Sequence, residues 1–245
     1  MINFLIINDQ MQHELSLLSF SHIMSVLFCI YVIIYLPRYF ISAAESKKNI
    51  FKITLLFLVI LNDGFDFYKT VYIFENPWQH GLPLHMCDFS AYSILAYLFT
   101  KIRIFFLFAF FWGVCGAGFA LLTPDVIYGF PYFEYIQSHI GHSFILIGVS
   151  YALQVDRQKV IRSDPFRILA ITTMLLGAIY IINAFIGMGA NYWYINFKPE
   201  GDSIMNWMRP EPYHMIDIYI LAIVLCYLLY FIYYLFDKKT LKNNG

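Results

Sequence analysis

Cys87 stands in the run GLPLHMCDFS, two residues after His85 and one before Asp88. A cysteine acts as a nucleophile through its thiolate, and needs a base or a positive field to form one. Pro83 is a good first-turn residue and starts a helix here. Cys87 then lies in the opening turns, where the positive end of the helix dipole favours the thiolate. His85 and Asp88 are three apart and share a face. Cys87 is about 200° round from His85 at 3.6 residues per turn, so a base for it must come from another segment.

The run SHIGHS offers one. His139 and His142 are three apart on one face, and Gly141 lets another helix or a ligand come close. Three chemistries fit the pair. One is a base for Cys87. Another is a metal site completed by His85 and a carboxylate. The third is a proton relay. The H-E-x-x-H spacing of a zinc protease is absent, and neither a metal nor a cofactor is expected. The bland alternative is that both histidines only fix helix packing and Cys87 fills space as a small hydrophobe. In NDGFD, Asp63 and Asp66 share a face, and Lys69 is placed to pair with Asp66. Asp63 lies deeper and needs a partner: it orients His139 or His142 as a third relay member, or is structural glue. Asp88, Asn62, Thr123, Gln137 and Asn191 complete the set as candidate substrate-binding groups. Cys29, Cys115 and Cys226 lie in apolar runs without a C-x-x-C pair, so no disulfide framework or zinc ribbon is indicated.

The elements that must carry these residues are apolar. The chain has 245 residues, 60% hydrophobic, 20% aromatic and only 13% charged. That is about half the charge of a soluble domain. A soluble globular enzyme, a disordered tail and a nucleic-acid binder are excluded, and an integral membrane protein fits. Seven stretches can each cross a bilayer, near 17–40, 50–74, 83–100, 103–123, 136–155, 166–188 and 214–236. No period-two alternation supports a barrel, and no internal repeat is evident. The expected fold is an all-α polytopic membrane protein, one domain over 1–245. The opening MINFLIINDQMQHE has no basic n-region or small-residue cleavage site, so no removable signal peptide is expected.

Net charge is zero, yet its distribution is lopsided. Arg38, Lys47, Lys48, Lys52, Lys101, Arg103, Arg157, Lys159, Arg162, Arg167, Lys238, Lys239 and Lys242 fall on one side of the spans. Lys198 and Arg209 fall on the other, with Lys69 in the outer part of span 2. The positive-inside rule then puts the N-terminus outside and the C-terminus in the cytoplasm. On that topology His22, Asp63, His85, Asp88, Thr123, His142, Asn183 and His214 all gather in the outer halves. The inner halves are nearly bare. Ionisable groups at such depth are costly and mark function by default. The aromatic 6–7 loop, NYWYINFKPEGDSIMNWMRPEPYH, serves as an interfacial belt or as a lid.

GLPLHMCDFS, FFWGVCGAGFALLTPD, FPYFEYIQSHIGHS and MGANYWYINFKPE, in this order, resemble the YwaF-like family of bacterial integral membrane proteins. Its eukaryotic relative is transmembrane protein 164. The resemblance covers roughly 60–235 and is weaker over span 1. It implies an acyltransferase moving fatty acyl groups onto lysophospholipids, with Cys87 as nucleophile because it holds the cysteine of L-P-L-H-x-C. The base, chosen by position, is His142 or His139.

A transacylase needs a nucleophile, a base and an oxyanion stabiliser near a lipid headgroup, and the outer ends offer all three types. Acyl-CoA would be on the wrong side, which favours a phospholipid donor and membrane lipids as partners, in the outer leaflet of the plasma membrane. The alternatives are a lipid-binding or sensing protein without chemistry, and a transporter. The last needs polar groups through the inner half, which the sequence barely supplies.

Overall fold

A computed structural model describes residues 15–199 and 204–243, with side chains described as far as Asp237. The opening run expected to lack a signal peptide, and the side chains of Lys238, Lys239 and Lys242, lie outside the described residues. Among the described residues the regular structure is helical. Seven long helices follow one another: α1 Phe20–Tyr35, α2 Glu45–Tyr68, α3 Met86–Thr100, α4 Arg103–Leu122, α5 Phe133–Gln154, α6 Asp164–Ile186 and α7 His214–Asn243. They fall on the seven apolar stretches within a few residues.

Four of the seven are long and apolar enough to cross a membrane: α1 with its 3-10 extension to Phe40, α4, α6, and α7 as far as Asp237. Of the seven spans expected from the sequence, length and composition thus support four. The other three are α2, α3 and α5. Asp63, Asp66 and the basic start lower the hydropathy of α2. The 15 residues of α3 reach only about 22 Å at 1.5 Å each. QSHIGHS makes the start of α5 polar. The helices that fall short are those carrying Asn62, Asp63, Cys87, Asp88, Gln137, His139 and His142.

Local chemistry sets several boundaries. Ser19 caps α1, its hydroxyl accepting the His22 N–H. Asp88 Oδ2 accepts the His85 N–H at 2.8 Å, closing the start of α3 at Met86 rather than Pro83. Lys101 takes a left-handed turn, φ 58°, between α3 and α4. Two helices contain or continue into π turns, Lys69–Ile73 after α2 and Ala109–Gly113 within α4. Such turns widen the helix by one residue and recur at functional sites.

Helix α5 sits centrally and touches α1, α2, α3 and α4. Its close approach is made by missing side chains. A Cβ on Gly148 would stand 2.6 Å from Ile94 Cγ1 on α3, and one on Gly113 of α4 would stand 2.8 Å from Ile145 Cγ2. Around these contacts Ile94, Tyr97, Phe106, Leu107, Ala117, Tyr151 and Ile168 form the buried core. On the basic side Arg103 holds the fully buried Asp164 with both carboxylate oxygens engaged. α6 and α7 pair with each other on the flank.

Candidate active site

A cavity of about 600 Å³ opens among α2, α3, α5, α6 and α7, at the end of the bundle away from Arg103 and Asp164. That is the size of a small-molecule or cofactor site. Cys87, His85, Asp88, Asp63, Asn62, Gln137 and His142 all line it. The structure therefore brings together most of the residues singled out by type and spacing. His139, Thr123 and Asn191 do not line it.

Cys87 is the second residue of α3, still in the first turn although the helix starts at Met86 rather than Pro83. The first N–H groups of a helix have no backbone partner within it, and the positive dipole end lies at this turn. Cys87 Sγ lies 3.5 Å from where a Cβ on Gly116 would stand, so α4 leaves room beside it. Among the described residues no hydrogen bond joins the thiol to a histidine.

The two histidines of α5 part company. His142 Nδ1 bonds the Ser138 carbonyl at 2.7 Å, with the Ser138 hydroxyl at 3.3 Å. A carbonyl only accepts, so Nδ1 carries the proton. In the neutral ring Nε2 then holds the lone pair, and no protein partner occupies it among the described residues. His139 Nδ1 makes the matching bond to the Tyr135 carbonyl at 2.9 Å. Its ring, however, stacks on Tyr135 at 4.0 Å and meets His22 edge-on at 5.8 Å. His22 in turn bonds the Tyr135 hydroxyl and the Leu122 carbonyl. His139 thus belongs to a buried cluster between α1, α4 and α5. Residues three apart on a helix diverge by about 60°, enough to put them in different compartments here.

Asp63 lines the cavity, its Oδ2 buried and without a hydrogen-bond partner. It makes no bond to either histidine among the described residues. The relay through Asp63 is not formed: the carbonyl of Ser138 already orients His142. Asn62 fits against Gly141, where a Cβ would stand 2.7 Å from Asn62 Nδ2. Gly141 admits a neighbouring helix, as its size suggested. Asp66 and Lys69 pair at 2.9 Å, and Lys69 also donates to Gln137 at 3.1 Å. Gln137 is thereby committed to the rim. Asp88 spends one oxygen on the helix cap. Thr123 bonds back to the Phe119 carbonyl at the end of α4. Asn191 shapes its own loop, donating to the Phe197 carbonyl and accepting the Asn196 and Phe197 N–H groups. Among the described residues no three of His, Cys, Asp and Glu converge as a metal site.

Sequence reasoning left undecided what the structure makes plain in the 6–7 loop. Tyr192, Trp193 and Tyr194 fold inward over the start of α3. Asn183 clamps Tyr192, donating to its carbonyl and accepting its N–H, both at 3.0 Å. Trp193 Nε1 donates to the Leu84 carbonyl at 3.0 Å. His214 Nε2 donates to the Tyr194 carbonyl at 2.8 Å. Trp193 and Tyr194 adopt left-handed backbone, φ 60° and 52°, a strained state held only where surroundings fix it. The ring of His85 packs against Tyr192 at 4.9 Å and Tyr194 at 5.5 Å. Trp193 and Tyr194 line the cavity. Burial pushes the Tyr194 phenol up to about 12, so it stays a neutral donor at ordinary pH. The only sequence signal for this lid was its aromatic density.

No curated protein sequence and no solved structure matches this chain. A sequence model of the TMEM164 family matches residues 12–230, which takes in the first six stretches and most of the seventh, the L-P-L-H-x-C motif, both histidines of α5 and the lid. The chain belongs to the TMEM164 family of membrane proteins.

Proposed function

We propose that the protein is a membrane-embedded lipid transacylase with Cys87 as nucleophile and His142 as base. One observation carries this: Cys87, in the first turn of a helix, shares a cavity with a histidine whose Nδ1 is pinned to a carbonyl. Pinning leaves Nε2 as the basic nitrogen.

In the proposed reaction Nε2 of His142 takes the Cys87 proton. The thiolate attacks the ester carbonyl of a phospholipid, and the carbonyl electrons move onto oxygen. In this reading the N–H groups in the first turn of α3 and the Tyr194 hydroxyl donate to that oxyanion. Collapse breaks the acyl C–O bond. The departing lysophospholipid oxygen takes the proton from His142, leaving an acyl thioester on Cys87. A second lysophospholipid then gives its hydroxyl proton to His142, attacks the thioester and frees the thiol. No acyl-CoA is required. An open hydrogen bond between Cys87 and His142 before substrate arrives is ordinary, since catalytic contacts tighten on binding.

In this proposal all seven helices cross the plasma membrane, N-terminus outside and C-terminus in the cytoplasm. The basic residues set that orientation. At about 22 Å, α3 is shorter than a hydrocarbon core of about 30 Å. Its first turn, with Cys87, then lies below the outer headgroups, within reach of an ester. The alternative is a protein that binds a lipid in the same cavity without chemistry, favoured by the absence of a Cys87–histidine bond.

The test uses the protein in lipid nanodiscs, with labelled lysophospholipid, a diacyl donor and no CoA. Labelled diacyl product should form with wild type and fall at least ~100-fold in Cys87→Ser and in His142→Ala. Product untouched by Cys87→Ser removes the cysteine from the mechanism. No product with any donor favours the binding alternative.

A further inference from the structure

A second cavity, of about 440 Å³, lies deeper, between the end of α1, α2 and α5. Its lining is apolar except for Thr54 and Lys47, and comes mainly from Phe51, Leu55, Leu58 and Ile147. Phe144 lines this cavity and also the upper one. On α2 the upper cavity ends at Val59 and the lower begins at Leu58. On α5 the upper takes Ile145 and the lower Ile147, with Phe144 common to both. The two cavities follow one another along one helix pair and share one lining side chain, Phe144.

We propose that the lower cavity is the acyl-chain pocket of the upper site. A long-chain lipid binds with its ester beside Cys87 and its tail running past Phe144, between α2 and α5, toward Lys47. This rests on the transacylase reading and adds where the chain goes and what limits its length.

Three observations support it. The lining has no use for a polar ligand: walls of this kind stay dry and accept hydrocarbon. The dimensions suit a tail. From Leu58 to Lys47 is eleven residues of helix, about 16 Å, against about 15 Å for half a hydrocarbon core. The far end is chemically marked. Lys47 is exposed and has no ion pair among the described residues, so the apolar slot stops where charge begins. A tail gains little by leaving lipid for protein, because both are apolar. Selection then comes from fit: a chain that ends within the slot is accepted, and one that overruns Lys47 is not. Phe144 sits where every accepted chain must pass. It is half-buried and lines both cavities.

The test is photo-labelling in nanodiscs with lysophospholipids that carry a diazirine at the tip of the tail, one long and one short. Labelled residues are mapped by peptide mass spectrometry. The long-chain tip should label residues 50–58 and 147, and the short-chain tip should label the upper cavity instead. Leu58→Trp, which fills the top of the slot, should cut long-chain labelling there at least tenfold and leave short-chain labelling in place. Thr54→Trp, at a more exposed position, should do the same if Leu58→Trp folds poorly. Cys87→Ser should label as wild type does, because labelling reads binding. Turnover of Cys87→Ser is scored separately, so failure of the nucleophile assignment and failure of the pocket give different results. Long-chain tips spread over the outer faces of α1 and α7 would overturn the proposal. So would labelling of 50–58 that excess unlabelled lysophospholipid does not compete away, since that marks a resident lipid held from the Lys47 side.

Discussion

Placing alanine at Gly148 drives a wedge between the helix that carries Cys87 and the helix that carries His142. The new Cβ stands 2.6 Å from Ile94 Cγ1 and 3.3 Å from Cγ2. Carbon atoms prefer about 3.5–4.0 Å, so the overlap is about 1 Å. Ile94 is fully buried and β-branched on a helix, with one dominant rotamer. It cannot swing aside, so α3 and α5 must separate. Overpacking of this kind costs about 1–3 kcal/mol, and the rigidity of the neighbour argues for the upper end. Alanine returns about 1 kcal/mol of helix propensity. The net is a loss of about 2 kcal/mol. Gly64→Ala is the internal control, since a Cβ there meets nothing within 4 Å. It should gain about 1 kcal/mol. Thermal unfolding in nanodiscs should place Gly148→Ala about 4–8 °C below wild type and Gly64→Ala slightly above it. Acyl transfer by Gly148→Ala should fall as well, because the wedge moves nucleophile from base. Ile94→Ala should restore part of the spacing, so the two substitutions together should cost less than their sum. Equal melting of the Gly148 and Gly64 variants would refute the close-approach reasoning.

Arg103→Ala strands Asp164, which is fully buried with both oxygens committed, and should cost about 3 kcal/mol; a melting point within a degree of wild type would show that the pair is not needed. Asn183→Ala unpairs both the N–H and the carbonyl of Tyr192; protease cleavage within 187–213 should speed up and transfer should drop, and unchanged cleavage would mean that the lid is held elsewhere. Burial raises the Tyr192 and Tyr194 phenols from 10 to about 12. The folded chain thus keeps protons that the unfolded chain releases near 10, a stabilisation present below about pH 10 and lost as pH climbs toward 12. Melting points should hold between pH 7 and 9 and fall by pH 11, less steeply in the double Tyr→Phe variant; an identical fall in that variant would sink the assignment.

The helices were legible because each is a long apolar run bounded by Pro, Asp or a basic turn, and those signals are local. Cys87, His142, His85 and Asp63 were legible as a group because positive-inside counting puts them at one depth, and one cavity does gather them. What escaped was non-local. Nothing in SHIGHS says that His139 will lie on Tyr135 and His22 while His142 faces α2 and α3; that depends on where α1 packs. The tautomer of His142 rests on a carbonyl one turn back, which any helix could offer. The lid escaped because its shape depends on Asn183, Leu84 and His214, three distant partners that together hold two left-handed residues. α2 and α5 fall short of the apolar character of the other spans because polar groups lie in them, and α3 falls short in length.

Trapping the covalent intermediate tests the central claim most directly. Wild-type protein would be incubated with a diacyl phospholipid and no acceptor, quenched in acid and digested. Mass spectrometry of the peptide carrying Cys87 should show the mass of one fatty acyl group, removable by neutral hydroxylamine as a thioester is. The adduct should be missing in Cys87→Ser and strongly reduced in His142→Ala. Labelled product formed at the wild-type rate with no acyl group on Cys87 would contradict the mechanism, and so would an adduct that maps to Cys29, Cys115 or Cys226 instead.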